Sequence, residues 1–122
     1  MKVLICGSRR IEWRQAQLLW QELSRRHKAQ PFDAIITGTR SGVDTAAVEW
    51  ARTNCVPWAC VPANWNKHGK AAGPFRNRRM IWLWQPGIVL AFPGGAGTEN
   101  MVQTAESLGV TVERIEPEGW GK

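Results

Sequence analysis

Short unbroken apolar runs alternate along this chain with longer stretches whose apolar residues recur every three to four positions. The runs within Lys2–Cys6, Ala34–Thr37, Val56–Val61, Ile88–Phe92 and Thr111–Ile115 predict five buried strands. Pro57 would place the third at a sheet edge or confine it to the residues after the proline. Helical spacing of Ala16, Leu19, Trp20 and Leu23 predicts a helix over Glu12–Lys28, with Arg25, Arg26 and Lys28 suiting its C-terminus and Pro31 ending it. Further helices are expected over Asp44–Thr53, closed by Asn54, over Pro74–Trp84, stopped by Pro86-Gly87, and over Gly97–Leu108, with Gly109 at its end. Alternating strands and helices with continuous apolar strands imply a Rossmann-like, doubly wound parallel α/β sheet with helices on both faces. One domain is expected over 1–115, and the Pro- and Gly-bearing tail 116–122 is expected to fray.

Composition narrows the classes. With 122 residues and 43% apolar content, a single core can form without disulfides or a structural metal. No run approaches the length of a signal-peptide core or a spanning helix, so a cytoplasmic protein with no membrane partner is expected. Cys6, Cys55 and Cys60 lack metal-ligand spacing and are read as buried free thiols. No metal and no bound cofactor is expected. The formal charge of +6 is unevenly placed: between Glu49 and Glu99 there is no carboxylate, but there are Arg52, Lys67, Lys70, Arg76, Arg78 and Arg79. Such a segment concentrates anions, or is simply a solvated basic face.

In doubly wound sheets ligands bind beyond the carboxyl ends of the strands. Here the first strand ends in Gly7-Ser8-Arg9-Arg10, the second in Gly38-Thr39-Arg40-Ser41-Gly42-Val43-Asp44, and the fourth in Pro93-Gly94-Gly95-Ala96-Gly97-Thr98. Glycines let backbone amides approach an anion, and the following helix adds its positive end, so these loops are candidates for cradling phosphate. The Gly38–Gly42 loop is the weaker signal. Neither a Walker A sequence nor G-x-G-x-x-G with a later acid is present, which disfavours ATP hydrolysis and NAD-dependent hydride transfer. Asp44 suits either a ribose hydroxyl or the first turn of a helix.

The connection Pro62–Gly73 is long for a compact domain, and with the next residues it carries Trp65, His68, Lys70, Gly73, Arg76 and Asn77. Closed over a ligand, it would stack Trp65 on a base and bring Lys70 and Arg76 to phosphate. His68 alone is a weak catalytic signal, so it reads as a loop histidine or a ligand contact before a general acid or base.

Taken together, "CGSR", "GTRSGVD", "PANWNKHGKAAGPFRNRRM" and "AFPGGAGT" closely resemble the YspA-like, cpYpsA-related branch of the SLOG superfamily, over about Met1 to Ile115. That superfamily includes the Lonely Guy phosphoribohydrolases, molybdenum-cofactor carriers and the DNA-processing protein of transformation. The resemblance implies a Rossmann-like fold and binding of nucleotides or derivatives such as ADP-ribose, with Arg76 matching a ligand-contacting arginine. It also makes a homodimer plausible. Lonely Guy enzymes carry a glutamate three residues after the motif threonine, which assists cleavage of the N-glycosidic bond. Met101 stands at that position here. A thioether cannot take a proton, and Glu99 would point to another face of the helix.

The leading reading is therefore a binding protein for a small nucleotide-type ligand, with no catalytic residue assigned. A nucleotide N-glycosidase or phosphoribohydrolase, using Asp44, Glu99 or His68, is the second. Single-stranded nucleic-acid binding, favoured by the charge and the Trp-rich basic stretch, ranks third.

Overall fold

The computed structural model describes residues 1–38, 41–63 and 69–121. The chain runs β1 (Lys2–Cys6), α1 (Trp13–Ala29), β2 (Ala34–Thr37), α2 (Val43–Thr53), β3 (Trp58–Cys60), a 3₁₀ turn at Gly69–Ala71, α3 (Ala72–Trp84), β4 (Ile88–Ala91), α4 (Ala96–Ser107) and β5 (Val112–Arg114). All five strands are parallel in the order β3-β2-β1-β4-β5, with Leu4 of β1 in register with Ile36 of β2 and Val89 of β4. This is the Rossmann-like α/β arrangement expected from the alternation of elements.

Side chains of a strand alternate between faces, and that alternation divides the core in two. Val3, Ile5, Ile35 and Leu90 pack on one face beneath α1 and α2, against Leu19, Leu23, Ala47 and Trp50. Leu4, Ile36 and Val89 pack on the other beneath α3 and α4, against Met80, Ile81, Met101 and Ala105. Both β1 faces are thus covered, which is why its apolar run is continuous. Each such side chain contributes roughly 1.5–3 kcal/mol by leaving water.

Element ends differ from the pattern reading for identifiable reasons. β3 shrinks to the residues after Pro57, and it lies at the sheet edge. The Val56 amide donates to Ala51 O at the end of α2 instead of joining the sheet. α3 starts two residues before Pro74, which its first turn tolerates because amides there have no intrahelical acceptor. Asn54 closes α2 by donating Nδ2 to Trp50 O at 2.9 Å, and Gly109 follows α4 with φ +78°.

The expectation of a frayed tail is corrected through Gly121. Trp120 is 5% exposed and tilts against Phe92 at 5.8 Å between ring centroids. Gln15 Nε2 donates to Trp120 O at 2.9 Å, and Arg14 donates to Gly119 O. One large aromatic ring outweighs the loosening effect of the neighbouring glycines. The thiols also differ from expectation: Cys55 is exposed, with φ +56°, while Cys6 and Cys60 are half-buried. Among the described residues no helix is long and apolar enough to cross a membrane.

Candidate functional site

Strand order reverses between β1 and β4, so their following loops diverge to opposite faces and leave a crevice between them. The loops are stitched together by their own backbones. Ser8 N–H donates to Pro93 O at 2.9 Å, and Val43 N–H donates to Ser8 O at 2.9 Å. This crowding explains three of the glycines. A Cβ on Gly42, where φ is +57°, would lie 2.1 Å from Ser8 O. One on Gly94 would lie 2.1 Å from Thr98 Oγ1, and one on Gly7 2.6 Å from Val43 Cγ2. Gly95 and Gly97 are different, because a Cβ at either would meet nothing within 4 Å.

The crevice has a volume of about 520 Å³, within the range of small-molecule sites. Its floor is apolar and sulfur-rich: the carboxyl end of β1 with Cys6, then Met80 of α3 and Met101 of α4. Gly7–Arg10, Gly38, Asp44, Arg76, Asn77 and the start of α4 from Gly95 to Thr98 line the rest of it. The first amides of α4 have no intrahelical acceptor, and its N-cap, Gly95, provides no side-chain cap. Together they give the rim a positive electrostatic end.

Arg76 is a partly buried cation of the crevice, which Arg9 and Arg10 also line. Its Nε donates to Asn77 Oδ1 at 2.8 Å and its Nη1 to Val61 O at 3.3 Å. The guanidinium lies so close to Gly38 that a Cβ there would be 2.5 Å from Nη1. Burial holds its pKa below the usual arginine value, opposed by the attraction of Asp44. It takes part in none of the ion pairs among the described residues. Asn77, 2% exposed, relays this position onward by donating Nδ2 to Asn100 Oδ1 at 2.9 Å. Cys6 is pushed up to about 12, chiefly by burial and further by Asp44, so its thiol stays protonated near neutrality.

The carboxylates are distributed unequally. Asp44 lines the crevice from the first turn of α2. Glu99 is paired with Arg114 at 2.8 Å and lines a separate hollow beside β5. Met101, 3% exposed, closes the floor with its thioether. No group of three or more His, Cys, Asp or Glu able to hold a metal gathers among the described residues.

Of the residues singled out in the sequence, Gly7, Ser8, Arg9, Gly38, Asp44, Arg76, Asn77, Gly95, Gly97 and Thr98 line the crevice. Gly42 and Pro93 act behind it by holding loops together, as does Gly94, and Pro93 and Gly94 border the hollow beside β5. Gly73 lies in the first turn of α3 and Lys70 in the 3₁₀ turn before it. Thr39, Trp65 and His68 lie outside the described residues. Pattern reading missed Cys6 and Met80 as floor residues and Asn100 as the partner of Asn77. Cys6 carried a signal, as the last residue of a strand whose carboxyl end was expected to face the ligand.

A parallel sheet of this order, with a crevice at its reversal point walled by glycine-bearing loops, defines a Rossmann-like α/β protein with a small-molecule-sized site. The profile of the YspA, cpYpsA-related SLOG family matches residues 1–68. The chain is also 32% identical over 120 residues to the Gene 61 protein of Mycobacterium phage D29, covering 91% of this chain and 93% of that one. This chain belongs to the YspA, cpYpsA-related SLOG family. Its fold is shared with a Listeria monocytogenes protein provisionally named UDP-N-acetylglucosamine 2-epimerase, with a TM-score of 0.59 at 11% identity. That match covers 93% of this chain and 30% of the Listeria chain, and at this identity it is a likeness of fold.

Proposed function

We propose that this protein binds a phosphate-bearing nucleotide derivative, of the ADP-ribose or nucleoside-phosphate type, in the crevice between β1 and β4. The observation that carries the reading is Arg76: a guanidinium held largely out of water, with no carboxylate paired to it among the described residues, lining the same crevice as the open N-terminus of α4. A desolvated cation is costly unless an anion offsets it, and phosphate accepts the parallel N–H donors of a guanidinium. Asp44, which also lines the crevice, suits a sugar hydroxyl, and the floor of Met80 and Met101 suits an apolar ring. Gly95 and Gly97 leave the space that the phosphate would fill.

The role is binding and not N-glycosidic hydrolysis by a glutamate at position 101. Met101 is buried in the floor, and Glu99 is engaged by Arg114 outside the crevice. Thermal unfolding with AMP, ADP, ADP-ribose, NAD and inorganic phosphate tests the reading. A ligand at a hundred times its dissociation constant adds about 2.7 kcal/mol, raising the midpoint by roughly 5–10 °C in a domain of this size. A selective rise for a phosphorylated nucleoside is expected, with no free base released on incubation. No rise beyond that given by phosphate would overturn the reading, and released base would replace binding with hydrolysis.

A further inference from the structure

We propose that the outward face of α3 docks single-stranded nucleic acid, on a surface separate from the crevice. One side of this helix is consumed by the protein: Asn77, Met80 and Ile81 are buried, and Arg76 turns into the crevice. The other side leaves large apolar groups in water. Trp82 is 73% exposed, Leu83 58% and Phe75 53%. Phe75 and Trp82 are seven residues apart, so they lie on one face about 10 Å apart along the axis. Arg78 and Arg79 lie between them, exposed, and neither takes part in an ion pair among the described residues.

Charge decides what this face fits. The stretch between Glu49 and Glu99 contains six cations and no carboxylate, so α3 has no negative partner of its own to present. A second copy packed symmetrically on the same face would bring Arg78 and Arg79 toward their own images, and like charges in contact oppose association. The occupant that complements flat aromatic groups interleaved with arginines has exposed rings and a regular line of anions. A single strand of nucleic acid offers both, whereas a duplex hides its ring faces by stacking and pairing.

The test is fluorescence anisotropy of a labelled oligothymidylate titrated with the full chain across a salt series. Binding at low salt that weakens steeply with salt is expected. Trp82→Ala should weaken it roughly 10- to 100-fold, through loss of one stacking platform. Arg78→Gln with Arg79→Gln should flatten the dependence of log affinity on log salt by about 1.4, at about 0.7 per lost contact on a single strand. All three side chains are exposed, and unchanged unfolding midpoints would show that the variants remain folded. Gly97→Leu, which fills the crevice, should leave oligonucleotide binding intact, so this proposal and the crevice reading fail independently. Absence of binding at low salt, wild-type affinity in both α3 variants, or equal affinity for a duplex would overturn the proposal. Sedimentation provides a further arm. A concentration-dependent dimer abolished by Trp82→Ala, without oligonucleotide binding, would assign the face to a second copy instead.

Discussion

Arginine keeps its proton in any folded protein, so the burial of Arg76 cannot be relieved by neutralisation. Its remaining recourse is an anion, and this sets the expectation for Arg76→Met. The variant loses the donors to Asn77 Oδ1 and Val61 O and the attraction to Asp44, so the ligand-free midpoint should fall, partly offset by relief of the buried charge, while stabilisation by phosphate-bearing ligands is abolished; paired melting curves would show both effects. Cys6 is the converse case, a group that can neutralise and does. Burial, with Asp44 nearby, pushes its pKa up to about 12, so the thiol stays protonated at about pH 8. Alkylation with iodoacetamide at that pH, followed by peptide mass mapping, should therefore modify exposed Cys55 well before Cys6. Arg76 was legible from its motif. The state of Cys6 was not, because strand position shows neither how deeply a thiol is buried nor that Asp44 lies nearby.

Among the elements, the three glycine loops divide by a criterion that no single loop displays. Gly42→Ala should destabilise by about 2 kcal/mol or more, since φ is +57° and the new methyl would meet Ser8 O. Gly95→Ala projects into open space and should melt close to wild type. The pattern of glycines marked loops that border the crevice, and the strand and helix order was readable throughout. The difference between Gly94 and Gly95 was hidden, because Gly94 is crowded by Gly7 and Thr98 from other turns of the chain. The coupling of α3 to α4 was equally hidden. Asn100→Leu should leave Asn77 Nδ2 without an acceptor in a buried site and cost roughly 1–3 kcal/mol by denaturant titration, whereas Asn100→Asp should retain the bond.

Across the whole molecule, the sheet is held at its far edge by contacts distant in sequence. Arg26 of α1 donates to Glu113 of β5 at 2.7 and 2.5 Å and to Glu22 at 3.0 Å. The bond from Arg26 holds the Glu113 carboxyl below its usual range. At Glu22, burial pushes the pKa up, but the bonds from Arg25 and Arg26 outweigh it, leaving a net depression. Depressed carboxylates stabilise the fold fully above their ordinary value of 4.5, and the contribution is lost as pH falls through the lower folded values. Glu113→Gln should therefore lower stability by less than about 1 kcal/mol at pH 7, a difference that closes in acid. The tail has the larger effect. Trp120→Ala should cost about 3 kcal/mol, measured by denaturant midpoint, because the ring closes the core beside Phe92. Pro117, Gly119 and Gly121 around Trp120 read as loose chain, and only the contact of its ring with Phe92 and the hydrogen bonds from α1 reverse that reading. The most direct test of the crevice is calorimetric titration of ADP-ribose into the wild-type protein and Gly97→Leu. Saturable binding to wild type, lost in a variant that melts at the same temperature, is expected. Equal binding by both proteins, or none by wild type, would contradict it.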